Sequence, residues 1–324
     1  MPHVDEVAIV TPVYNDWEAF QELLARLDAV AQDLDGLRLD VIAVDDGSTM
    51  AVPASLLADI DLHSLRRVDV LHLACNLGHQ RAIAIGLSEA DQRGAYSAVI
   101  VMDSDGEDRP DDVPRLLAAL HEHAGHVIVA RRARRSEGRL FKAFYLAYKA
   151  LFFLLTGKPI AFGNFCVLPA AVVSRLVCTP DIWNNLAAAI TRSRLPLHHC
   201  SIDRGTRFAG QTQMSMVGLC IHGLSAVSVY SDTVFTRVLV FSFALGAVTI
   251  AGVVVVTAIR LFTDLAIPGW TSYMVGFLVV LLMQALMLSG GAVFLLLNSR
   301  SMPSIIPRKM GAEYVRNTSA LLPP

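Results

Sequence analysis

Between Arg237 and Arg260 the chain runs for 22 residues, VLVFSFALGAVTIAGVVVVTAI, without a charge. At about 1.5 Å of rise per residue, a helix of that length covers a hydrocarbon core about 30 Å thick. A second uncharged run extends from Tyr273 to Leu297, and the link between the two holds Asp264, Pro268 and Gly269. Both runs exceed an ordinary globular helix. They predict two transmembrane helices, at about 237–260 and 272–298, folded as a hairpin within residues 234–299; a pair of buried core helices is the competing reading. The rest of the chain is then a domain at 1–230 and a tail at 300–324. The two runs account for a mean hydropathy of +0.49 in a chain with only 17% charged residues, too apolar for an ordinary soluble enzyme.

Positive charge sets the expected orientation. The link has no Lys or Arg beyond Arg260 at its border, whereas Arg237, Arg300, Arg308, Lys309 and Arg316 flank the outer ends. Loops rich in Lys and Arg stay in the cytoplasm, so the domain and both termini are expected there, at a bacterial inner membrane. No signal-like apolar segment precedes residue 20. Five cysteines, Cys75, Cys166, Cys178, Cys200 and Cys220, are odd in number and include no C-x-x-C pair. That suits a reduced compartment and argues against a zinc site. A net charge of −2 gives no reason to expect nucleic acid as a partner.

Apolar runs rich in Val and Ile at 7–12, 39–44, 68–73, 98–102 and 127–132 read as buried strands. Helical patterns alternate with them: Phe20, Leu23, Leu24, Leu27 and Val30 share one face, and a helix is expected over 111–123. This alternation predicts an α/β domain with a mainly parallel sheet covered on both faces. No G-x-x-x-x-G-K-[ST], G-x-G-x-x-G or G-x-S-x-G segment occurs, so the phosphate loops, dinucleotide sites and hydrolase elbows they mark are not expected.

Two acidic segments stand at strand ends, where open α/β sheets bind ligands. In DDGST at 45–49, Asp45 and Asp46 open a tight polar turn suited to hydrogen-bonding a base or ribose. In DSDGEDRP at 103–110, alternation along an extended segment lets Asp103, Asp105 and Glu107 converge. Three gathered carboxylates call for a hard divalent cation with substrate phosphates. The plain alternatives are an ordinary βα turn and an acidic helix start.

The ordered set PVYND at 12–16, VDDGST at 44–49, NLGHQRA at 76–82 and DSDGEDRP at 103–110 resembles the family-2 glycosyltransferases of GT-A fold. With the C-terminal hairpin, it is most similar to polyprenyl-phosphate glycosyltransferases and dolichyl-phosphate mannose synthase. The resemblance implies that Pro12, Tyr14, Asn15 and Asp16 line the nucleotide base, Asp16 standing where the family usually has Glu. It implies that Asp45 and Asp46 contact base or ribose, and it adds Gly78 and Ser104 to the donor set. Asp103 and Asp105 match the D-x-D pair that holds Mg²⁺ or Mn²⁺ on the donor diphosphate, and Glu107 stands where relatives carry Gln.

For the acceptor side, Arg131, Arg132, Arg134, Arg135 and Arg139 precede LFKAFYLAYKALFFLL at 140–155. Aromatic rings punctuated by Lys142 and Lys149 suit a helix at the membrane interface, about 139–156; a basic loop and a core helix are the plain reading. The resemblance places Arg131 and Arg139 on phosphate. At 160–168, Ala161 or Phe162 stands where many relatives carry an aspartate, a departure that bears on any catalytic base at that position. In RFAGQTQM at 207–214, Arg207 is the expected catalytic cation, while Thr212 and Gln213 replace Ser and Lys and Arg204 offers a substitute charge.

The expected function is inverting, metal-dependent transfer of a hexose from a UDP- or GDP-linked nucleotide diphosphate sugar to a polyprenyl phosphate of undecaprenyl type, at the cytoplasmic face of the bilayer. The competing readings are a glycosyltransferase acting on a lipid hydroxyl and a catalytically silent membrane scaffold. Self-association into a homo-oligomer is left open.

Overall fold

The computed structural model describes residues 6–34, 36–53, 56, 60–132, 139–159, 162–203, 205–209, 216–301 and 303–322. The chain forms two compact units. One comprises Met1–Lys149, Pro159–Val229 and Ser304–Pro324; the other comprises Ala150–Lys158 and Tyr230–Pro303.

In the first unit the chain runs β1 (Glu6–Val13), α1 (Trp17–Gln32), β2 (Arg38–Asp45), β3 (Leu65–Leu73), α2 (His79–Arg93), β4 (Ala98–Val101), α3 (Val113–Glu122) and β5 (Val127–Arg132). Helix α4 (Arg139–Thr156) follows, then β6 (Cys166–Pro169), α5 (Ala170–Leu176), α6 (Leu186–Arg192), β7 (Leu197–Ile202) and α7 (Met216–Ser228). Helices α8 (Ser231–Phe262) and α9 (Trp270–Ser301) come next, and α10 (Pro307–Met310) and β8 (Val315–Leu322) complete the chain.

Among the described residues the strands form one eight-stranded sheet in the order β7-β5-β6-β4-β1-β2-β3-β8. Pairs β1/β2, β1/β4, β2/β3 and β5/β7 are parallel, and β6 and β8 run against their neighbours. The pleat sends alternate residues to opposite faces. On β1, Val7 and Ile9 enter one apolar cluster with α1 and α3, and Ala8 and Val10 enter the other with α2, α5 and α6. On α1, Phe20, Leu23, Leu24 and Leu27 are fully buried, each contributing about 1.5–3 kcal/mol by leaving water.

All five expected strands and the helix at 140–155 are present, with shifts of a few residues at their ends. The expectation for 300–324 is corrected. These residues are not a separate tail, because β8 adds to the sheet edge at β3 and Ile305, Tyr314, Leu321 and Leu322 pack against the two cores. Polar contacts secure the return: Ser88 Oγ donates to Pro307 O at 3.1 Å, and Arg308 pairs with buried Asp91 at 3.0 Å.

In the second unit α8 and α9 pack antiparallel. Gly246 lies against Leu282 and Gly252 against Leu278, so the contact index falls on one helix as it rises on the other. Both helices are long and apolar enough to cross a membrane. Phe241, Phe243, Val254, Phe277, Leu286 and Phe294 point outward from the pair. Arg237 caps the last turn of α4, donating to Leu154 O at 2.6 Å.

Candidate active site

The carboxyl ends of β1, β2 and β4 lie side by side, and the turns leaving them carry most of the residues singled out in the sequence. After β1, Asn15 adopts a left-handed backbone with φ of 50°. Its Oδ1 accepts from the amides of Thr49 and Met50 at 2.9 and 3.0 Å, and its own N–H donates to Ser48 Oγ at 2.9 Å. Asn15 therefore braces the turn after β2. Pro12 accepts from Ser104 Oγ at 3.1 Å through its carbonyl, tying β1 to the turn after β4, and Tyr14 is exposed.

The two adjacent aspartates do different work. Asp45 Oδ1 accepts from Ser48 N at 2.9 Å. Asp46 turns to the next loop, accepting from Leu77 N at 2.7 Å and Gly78 N at 3.0 Å. Burial pushes its carboxyl above the ordinary range, and those two N–H groups work against the shift. Gly47 makes this approach feasible: its φ is +67°, and a Cβ there would stand 2.5 Å from Asn76 N.

The acidic segment after β4 does not continue as a strand, which corrects the expected convergence of three carboxylates. Asp108 Oδ2 accepts from Asp103 N at 3.1 Å, Glu107 N donates to Asp105 Oδ1 at 2.9 Å, and Gly106 turns the chain with φ of +87°. Among the described residues no three of His, Cys, Asp and Glu gather as a metal site. The Asp103–Asp105 pair still fits a hard cation. Mg²⁺ typically takes one or two protein carboxylates and completes its shell with water and substrate phosphate, and both aspartates are partly exposed beside a free strand end.

His79, the first residue of α2, brings its Nε2 to 2.9 Å from Asp103 Oδ1. Desolvation lowers its pKa, against the charges of Asp46 and Asp105, and because a carboxylate only accepts, the Nε2–H donates. Its segment reads in sequence as a turn followed by a close-packed helix, and nothing in the spacing announces a partner for Asp103. Gln80 beside it is buried and joins Asn164 Oδ1 at 3.0 Å to Leu186 N at 2.8 Å.

The loop bearing Arg207 is bound to the acidic turn. Gly205 N donates to Glu107 O and Phe208 N to Asp105 O, both at 2.9 Å. The Phe208 ring covers Gly106, where a Cβ would come within 2.7 Å of it, and Arg26 stacks over the ring at 4.5 Å. Arg207 then reaches Asp16 Oδ2 at 2.8 Å and lies 3.5 Å from Asp105 Oδ2. Burial raises the Asp105 pKa and the charge of Glu107 adds to it, while Arg207 and the Glu107 N–H oppose the rise.

Pro12, Asn15, Asp16, Asp45, Asp46, Gly78, Asp103, Ser104, Asp105, Glu107 and Arg207 are thus carried on linked turns. Arg131, the penultimate residue of β5, is exposed beside His199, whose pKa is lowered by burial and by the Arg131 charge. Phe162 lies 6.1 Å from the His199 ring. Arg134, Arg135, Ala161, Arg204, Thr212 and Gln213 lie outside the described residues, as does the side chain of Arg139.

The domain is of α/β type, with acidic turns at the carboxyl ends of its strands. The chain belongs to glycosyl transferase family 2, whose sequence model matches residues 8–175, and it is a glycosyltransferase. The uncharacterized glycosyltransferase YkoT of Bacillus subtilis (strain 168) is 29% identical over 253 residues, covering 75% of this chain and 73% of its own length. An undecaprenyl-phosphate 4-deoxy-4-formamido-L-arabinose transferase of Sodalis glossinidius is 32% identical over 168 residues, 52% of this chain and 49% of that one. Among solved structures, glucosyl-3-phosphoglycerate synthase from Mycobacterium tuberculosis, in complex with Mn²⁺, UDP-glucose and phosphoglyceric acid, aligns with a TM-score of 0.48 and 16% identity over 71% of this chain and 79% of its own.

Proposed function

We propose that the protein transfers a hexose from a UDP- or GDP-linked sugar to a polyprenyl phosphate at the cytoplasmic membrane face, with inversion at the anomeric carbon. The observation that carries this reading is the meeting of Asp16 and Asp105 on the Arg207 guanidinium at the strand ends, next to Asp103, in a chain that also bears two long apolar helices. The relatives named as undecaprenyl-phosphate transferases support the acceptor class.

The chemistry asks little of a base. A phosphate monoester has its second pKa near about 6 and is largely dianionic at pH 7. One of its oxygens forms the new bond to the anomeric carbon as the bond from that carbon to the diphosphate oxygen breaks. The nucleoside diphosphate departs with the electron pair. No proton has to be removed, which accords with Ala161 and Phe162 in place of a family aspartate.

The protein's task is then alignment and charge. Arg207 is proposed to turn its guanidinium from Asp16 and Asp105 to diphosphate oxygens when donor binds, and the backbone bonds of Gly205 and Phe208 to the acidic turn hold its loop there. Asp103, oriented by His79, and Asp105 would hold Mg²⁺ or Mn²⁺. A cation so held would neutralise the diphosphate and stabilise its departing charge. Arg131 and Arg139 are proposed as the phosphate contacts of the lipid.

Helices α8 and α9 are proposed to cross the membrane. We propose that both outer ends of the hairpin face the same side, a reading supported by the charge bias of the outer ends and by the return of the chain after α9 to the unit that precedes α8. Incubating membranes that contain the protein with labelled nucleotide sugars and polyprenyl phosphate tests the whole reading. Label in a lipid phosphate supports it; label only in a neutral glycolipid, or in no lipid, overturns it.

A further inference from the structure

The core-facing side chains of β2 run Val41, Ala43, Asp45, and those of β3 run Val68, Val70, His72. The register sets Asp45 directly opposite His72. Two apolar rows therefore end, at the carboxyl edge of the sheet, in a carboxylate and an imidazole. His72 Nδ1 lies 2.8 Å from Asp45 Oδ2, and His72 Nε2 lies 2.8 Å from Ser319 Oγ. A carboxylate only accepts, so Nδ1 carries the proton on that side, and Nε2 and the Ser319 hydroxyl share the second hydrogen bond.

Ser319 stands 247 residues after His72, on β8, beyond both apolar helices. A carboxylate offers about four acceptor positions. On Asp45 one is taken by Ser48 N and one by His72, which leaves positions for an N–H of a base or a ribose hydroxyl. We propose that Ser319 is a positioning residue for the donor nucleoside: by fixing the ring plane of His72, it fixes the carboxylate of Asp45. The donor site is then completed by a strand that the chain supplies only after its hairpin. This rests on the reading that Asp45 contacts the nucleoside.

The test uses the full chain and the dissociation constants of UDP and GDP, followed for whichever the wild type binds. Removing one hydrogen bond at a distance from the ligand should weaken binding about fivefold. Ser319→Ala should do so and raise the donor KM alike, leaving kcat and the KM for lipid phosphate unchanged. Ser319→Thr, which keeps the hydroxyl, should restore binding. Normal binding by Ser319→Ala, with binding weakened in Asp45→Asn, overturns the role of Ser319 alone. Normal binding by both overturns the Asp45 reading and with it this inference. Equal changes in donor and lipid KM for Ser319→Ala would mean that the hydroxyl merely stabilises the sheet edge, and would also overturn it.

Discussion

The guanidinium of Arg207 donates to the carboxylate of Asp16 at 2.8 Å, joining residues 191 positions apart. The same group lies 3.5 Å from Asp105, so one side chain holds the first turn of the sheet and the acidic turn in register. Removing it leaves two partly buried carboxylates facing each other without a cation, and takes away a donor fork suited to a diphosphate. Arg207→Ala should lower kcat on the order of 10²-fold, and Arg207→Lys should recover only part of it, because an ammonium is a point charge. Steady-state kinetics on variants whose circular dichroism matches the wild type would decide. Full activity of the alanine variant would refute the assignment.

Asp103→Asn and Asp105→Asn remove charge while keeping volume, so each should fold normally and lose about 10²-fold or more in turnover. Chelation of the wild type with EDTA should stop transfer, and added Mn²⁺ or Mg²⁺ should restore it. Undiminished transfer in EDTA would exclude the proposed cation.

His79 donates to Asp103 without any predicted contact to substrate. Partners that orient a ligating carboxylate are typically worth about 10–100-fold in metal affinity. His79→Ala should therefore need about tenfold more Mn²⁺ for half-maximal activity, and His79→Gln, which can still donate an N–H, should need less than the alanine variant. A metal-titration curve unchanged in His79→Ala would count against this.

Gly106 has φ of +87° and lies under the ring of Phe208. Gly106→Ala forces a Cβ into a left-handed backbone and against that ring, at a cost of about 1–3 kcal/mol for the backbone alone. The variant should melt at a lower temperature and lose activity together with the seating of Arg207. An unchanged melting temperature would show that the turn can open freely.

A reporter placed before Met1 and one after Pro324 should both report the cytoplasm, and a tag near Ala266 the far side. The shared sheet of β3 and β8 requires the first two to agree. Opposite sides for these two would mean that only one of the apolar helices crosses.

Much of this protein was legible in local sequence. Runs of Val and Ile mark β1 to β5, the helical spacing of Phe20, Leu23, Leu24 and Leu27 marks α1, and two uncharged runs mark α8 and α9. These signals are readable because burial acts on neighbouring residues with a fixed period. The acidic and polar turns could be read for the same reason, since each falls at the end of a strand. Strand β6, with four residues, and strand β7, LHHCSI, carry too little pattern to stand out.

What only the tertiary structure decided are the partners. Asp45 and Asp46 are adjacent and alike in sequence, yet one faces His72 and the other the amides of Leu77 and Gly78. Asp103, Asp105 and Glu107 alternate as if along a strand, but a positive φ at Gly106 and the hydrogen bond from Asp103 N to Asp108 curl the segment, and the three do not gather as one metal site. The residues after the hairpin look like a polar tail until β3 offers an open edge. Sequence determines which segments must be buried and how each pleats or coils. Which polar group meets which is settled only when distant segments close on one another, because a hydrogen bond needs its partners within about 3 Å and in line, a condition that only the assembled fold imposes.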